Sequence, residues 1–178
     1  MRIAFTLLAL ALTAALAKYV FFGAHAFGSP PAGQQEALEA LQGLKSVTDA
    51  GVNYTNYAPR VLDAKIKVDR YLAAAPAGAP ARAAIALAMH EFVLASQDWN
   101  ASIGSRSTEQ IAIGTEIMSD KNMAACPSIQ VLMASSNQET TETRAFDIGP
   151  AYFAVRDGLR PLWQCAALSV ADAARLAR

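Results

Sequence analysis

From Val52 to Leu72 the apolar side chains recur three and four residues apart, and no other stretch limits the possible folds so sharply. On a helical wheel Tyr54, Tyr57, Val61, Ala64, Val68 and Tyr71 share one sector with Leu72. That is the spacing of an amphipathic helix with one face in a core. Arg60, Asp63, Lys67 and Arg70 lie opposite. Asp63 precedes Lys67 by four residues, the favourable order for a helix ion pair worth about 0.3–0.5 kcal/mol. Gly51 can take positive φ and end a preceding helix. The side-chain oxygens of Asn53, Thr55 or Asn56 can then accept from the free N–H groups of a new one. Pro59 fits where no intrahelical N–H is needed, in a first turn. The regular helix is therefore expected to start near Ala58, with Val52–Tyr57 as its ordered entry.

Leu62 and Ile66 do not belong to this face. They stand four apart towards its back, so the helix either packs a second neighbour there or offers that side to a partner.

The rest of the chain carries the same period. Leu38, Leu41, Leu44 and Val47 mark a helix over Gln34–Ala50. Ile85, Met89, Phe92, Ser96, Trp99 and Ile103 mark another over Ala81–Ile103, with Leu87 and Leu94 seven apart on its back and His90 beside them. The Ala- and Pro-rich run from Ala73 to Pro80 reads as a linker between helices, because neither flank is long enough to stand alone. Gly104 is a natural stop. Ser105 or Ser107 can cap a fourth helix to about Ser119, and Ser107 with Gln110 has capping-box spacing. Lys121–Cys126 reads as a connection. Pro127 opens either a short helix or a strand, since Ile129–Met133 fits both. Asn137–Arg144 is polar and reads as a loop or frayed end. Pro150 suits a helix start, and Pro161 is expected to break or kink that helix. Leu162, Trp163, Ala166, Leu168, Val170 and Leu176 then make a C-terminal helix. The expected fold is all-α, a single-domain bundle of five to six helices over residues 34–178.

The first seventeen residues have the order of a secretory signal: the positive Met1-Arg2, an apolar Ile3–Leu16, and Ala15-Leu16-Ala17 as a small-x-small cleavage site. The apolar run falls short of the ~20 residues that span a bilayer. Ala24-His25-Ala26 is an alternative cleavage site, and an uncleaved anchor running to Ala26 is the one membrane attachment the residues suggest. Phe27–Gly33, with Gly28, Pro30 and Pro31, reads as an exposed lead-in. Such a chain is expected to be periplasmic or secreted. In that setting two cysteines in 178 residues read as a disulfide, Cys126 with Cys165.

The formal net charge is zero and there is no basic block, which argues against nucleic acid as a partner. Charged residues are 17% of the chain, below the usual ~25%. No Gly-x-Ser-x-Gly, His-Glu-x-x-His, Glu-x-x-His or Cys-x-x-Cys-His occurs. His90 stands without a second ligand, so neither metal nor haem gains a complete ligand set, and no cofactor is expected. Glu91 and Asp98, seven apart, read as a pair on a solvated helix face. Tyr54 and Tyr57 combine an apolar body with a polar tip, which suits either a partner surface or the end of a bundle.

These readings point away from an enzyme. They favour an exported non-enzymatic binding or interaction protein of the bacterial envelope, engaging a protein partner or a second copy of itself. A carrier of a small apolar ligand between helices is the first alternative. A periplasmic immunity or inhibitor protein against an exported toxin is the second. The candidate interaction surface comprises Tyr54, Tyr57, Leu62, Ile66, Leu87, His90 and Leu94. A closed core would favour the interaction module, and an interior pocket the carrier.

Overall fold

Among the described residues helices alone make up the regular structure. The computed structural model describes residues 31–139 and 158–178, and among these there are seven: α1 (Gln34–Ala50), α2 (Tyr54–Ala74), α3 (Arg82–Ile103), α4 (Ser107–Ser119), α5 (Lys121–Ala124), α6 (Pro127–Glu139) and α7 (Leu159–Leu176). The all-α expectation holds, including the helical alternative at Pro127. One helix beyond the expected five or six is α5, a single turn inside what had read as a connection; the Asp120 carboxylate caps it by accepting from the N–H groups of Asn122 and Met123. Residues 137–139, the start of the expected loop or frayed end, belong to α6; the secretory signal, both cleavage sites, the lead-in as far as Pro30, residues 140–144 and the helix start at Pro150 lie outside the described residues.

Helix α2 starts earlier than its proline suggested. Asn53 caps it, its side-chain oxygen accepting from Asn56 N at 2.9 Å. Pro59 therefore sits inside the helix rather than in its first turn. The carbonyl it leaves without an i+4 donor belongs to Thr55, which is exposed and can be solvated. The Asp63–Lys67 ion pair does not form; Lys65 pairs with Asp69 instead, at 2.6 Å. Gly51 takes φ 84° and ends α1 as its missing Cβ allows. Across the linker of residues 75–81 Arg82 donates to the carbonyl of Leu72 at 2.9 Å, tying the end of α2 to the start of α3.

The end of α3 departs from expectation too. The left-handed residue is Ser105, at φ 53°, and not Gly104. Arg106 N bonds to Ala101 O and Ser105 N to Ser102 O, the paired bonds of a Schellman turn. Ser107 becomes the first residue of α4, whose cap position Arg106 supplies no side-chain bond. The capping box is lost because Gln110 reaches back to Ser102 Oγ at 2.8 Å. Pro161 lies in the first turn of α7, where its missing N–H has no intrahelical partner to lose.

Two apolar clusters share α3 and α7. The first gathers Leu38 and Leu41 of α1, Tyr57, Val61, Val68 and Tyr71 of α2, Ile85 and Phe92 of α3, and Val170 of α7. The second gathers Leu94 and Ala101 of α3, Ile113 and Ile117 of α4, Met123, Ile129 of α6, and Leu162 with Cys165 of α7. The α3–α7 pair is the most extensive helix contact among the described residues. The hub of the fold is thus α3, which touches α1, α2, α4 and α7. Cys126, just before α6, is bonded to Cys165 of α7, as the cysteine count implied. The bond joins the α4–α6 part of the chain to the central pair.

Candidate functional site

The seven residues expected to form one interaction surface fall into three places. Tyr54 and Tyr57 lie at the start of α2, Leu62 and Ile66 lie on its outer side, and Leu87, His90 and Leu94 lie on α3 towards α4.

At the first place the rings make an interior, not a surface. Tyr57 is fully buried. Its hydroxyl donates to Phe92 O at 3.1 Å and accepts from Trp163 Nε1 at 3.0 Å. Burial pushes the phenol upward, with the Trp163 bond pulling the other way. Tyr54, half-buried, meets Trp99 edge to face at 5.6 Å, and Trp99 meets Trp163 in the same manner at 5.6 Å. Tyr57 is removed from the candidate surface: a partner cannot reach it. The sequence places Trp163 on the C-terminal helix but cannot join it to Tyr57, 106 residues away. Only its shared helical period with Leu162 and Ala166 placed it near a core.

The third place is closed at Leu94 only. Leu94 is 1% exposed and belongs to the second apolar cluster, while Leu87 is half-buried. Seven residues on a helix return almost to the same side, and α4 and α7 occupy that side of α3. Leu94 is therefore a core residue and not a contact for a partner. His90 is partly exposed, with Nε2 3.5 Å from Glu116 of α4.

The second place remains open. Leu62 is 60% exposed and Ile66 51%, one turn apart on the outer side of a helix whose inner side is wholly buried. Lys65 and Asp69, paired with each other, border them.

Two further features lie outside the expected set. Clefts open on the surface beside α7. One, about 660 Å³, runs between the end of α1 (Thr48–Gly51) and Leu159, Arg160, Trp163 and Gln164. A second, about 420 Å³, lies between Val131 and Leu132 of α6 and Arg160, Pro161 and Gln164. The other feature corrects the reading of Glu91 and Asp98 as solvated. Each is 2% exposed, and Glu91 Oε2 and Asp98 Oδ1 accept no hydrogen bond from the protein. Burial raises Glu91 to about 7, opposed by the Ser169 hydroxyl and reinforced by the Asp120 charge. Burial alone raises Asp98 to about 7. A carboxyl that keeps its proton to neutral pH is a possible general acid, yet these two line neither cleft. No group of three or more His, Cys, Asp or Glu residues suited to a metal ion occurs among the described residues. Compared with known proteins, the chain matches no family model, no curated protein and no solved structure.

Proposed function

We propose that this chain is an exported, non-enzymatic helical interaction module that meets a protein partner, or a second copy of itself, through the outer side of α2. The observation that carries the reading is the contrast within one helix. The inner side of α2 is fully covered, while Leu62 and Ile66, on adjacent turns, stay more than half exposed. Two large aliphatic side chains on adjacent turns are a minimal anchor of the kind a facing helix or groove takes up. The clefts beside α7 open outward, which favours an interaction module over a carrier enclosing its ligand. The buried disulfide supports export, because such bonds persist in oxidising compartments. No helix among the described residues is long and apolar enough to cross a membrane.

The test places a photo-crosslinking residue at position 62 in one sample and at the exposed position 46 of α1 in another, both in natively exported protein. Sedimentation and thermal melts accompany each. The expected result is an adduct specific to position 62 that disappears in an Ile66→Asp background, with the melt unchanged. Equal labelling at both positions, together with unchanged sedimentation of Leu62→Asp, rejects the reading.

A further inference from the structure

Glu91 and Asp98 sit on the helix at the hub of the fold, on the side that meets α7 and α4. Ser169, itself buried, faces Glu91 from α7. Asp98 follows two turns later, between Leu94 and Ala101 of the cluster that also holds Leu162 and Cys165. A buried carboxylate with a bare oxygen is costly, whereas the neutral acid in the same place is tolerated. Among the described residues neither forms a salt bridge, so no described cation holds its charge inside.

We propose that Glu91 and Asp98 are a pH-sensitive latch on the packing of α7 against α3, tight while both carboxyls carry their protons and weakened as rising pH draws the protons off.

The groups around the pair set the direction. From α7 the facing group at Glu91 is the uncharged Ser169 hydroxyl. At the α4–α5 junction Asp120 adds a like charge, which disfavours ionised Glu91 further. On α4, Glu116 lies against His90 instead. On the α2 side the Tyr57 hydroxyl is engaged by Phe92 O and Trp163. α1 meets α3 through apolar residues, Leu38 and Leu41 among them. No charged group among the described residues adds to the effect of burial at Asp98.

The sign follows from linkage. In the open or unfolded chain both acids ionise in their ordinary range, near ~4. In the closed state they hold their protons to about 7. The stabilising contribution is therefore complete below about 4 and is lost as pH rises towards about 7, after which it levels off. Within that window each group raises the opening equilibrium at most about tenfold per pH unit. The Cys126–Cys165 bond keeps α7 tethered while its packing loosens.

The test is amide exchange of the Ser169–Ala173 segment in the full disulfide-bonded protein at pH 5, 6 and 7, corrected for intrinsic exchange, beside Glu91→Gln/Asp98→Asn. Wild type should lose protection about tenfold or more from pH 5 to pH 7, and the double variant should stay flat. A flat wild-type profile, or an equal loss in the variant, overturns the proposal. If the variant does not fold, carboxyl carbon NMR of the wild type decides: titration of both groups near 7 supports the latch, and titration near 4 overturns it.

Discussion

The indole N–H of Trp163 donates to the hydroxyl of Tyr57 at 3.0 Å, and the same hydroxyl donates to the Phe92 carbonyl at 3.1 Å. One buried oxygen thus joins α7, α2 and α3. Because Tyr57 and its bond to the Phe92 carbonyl are buried, leaving these groups unpaired costs more than the net worth of a solvated bond. Tyr57→Phe is expected to lower stability by about 1–3 kcal/mol, since it strips the Phe92 carbonyl and the Trp163 indole of their shared partner. Urea denaturation of Tyr57→Phe, Trp163→Phe and the double variant should give a coupling of at least about 0.5 kcal/mol. Additive effects would show that the hydroxyl is not shared in solution.

Leu94 and Leu62 are chemically the same residue with opposite surroundings. Leu94→Ala removes a side chain from the second apolar cluster and should cost ~2–5 kcal/mol through lost burial and the cavity left behind. Leu62→Ala, on the open side of α2, should stay within about 0.5 kcal/mol of wild type. Paired chemical denaturation curves check both, and a large cost at Leu62 would mean that this side is covered in solution.

Cys126 and Cys165 should be recovered as one linked pair by non-reducing peptide mapping of protein isolated without reductant. The bond spans a sequence separation of 39 residues. Restricting a loop of that length contributes roughly 4 kcal/mol in the chain-entropy model. Cys126→Ser should destabilise by about 2–4 kcal/mol. Amide exchange should rise first in α4–α6, the part of the chain that the bond joins to α7.

Ser105 holds the left-handed position at the end of α3, where an L side chain is strained. Ser105→Gly relieves the strain and should raise stability by roughly 0.5–1 kcal/mol, with the melt as readout. Gly104, at φ −79°, is in an ordinary helical conformation, and an added Cβ would meet only the flexible Arg106 side chain, so Gly104→Ala should stay within about 0.5 kcal/mol of wild type.

Much of this architecture was written into local pattern. The stripe of Leu38, Leu41 and Leu44, and that of Tyr57, Val61 and Val68, need only the 3.6-residue period to be read as buried helix faces, and they are buried. The disulfide followed from parity, because two cysteines allow one intramolecular pairing. The stop at Gly51 followed from a glycine's freedom at positive φ. Each depends on residues within a few turns, or on a count, and needs no knowledge of neighbours.

What the period could not decide is how many sides of a helix find company. Leu62 with Ile66 and Leu87 with Leu94 look alike in sequence, each an aliphatic pair behind an apolar stripe. Periodicity fixes the direction in which a side chain points, but burial depends on what stands in that direction. α3 is contacted by α1, α2, α4 and α7, so Leu94 on its back is core and Glu91 and Asp98 are carried inside with it, while Leu87 is half-buried. α2 has α1 and α3 on one side only, so its back remains open. The shared hydroxyl of Tyr57 and Trp163 and the raised acids of α3 belong to the same class. They arise where segments far apart in the chain exclude water from a polar group, and that exclusion exists only once the helices have packed.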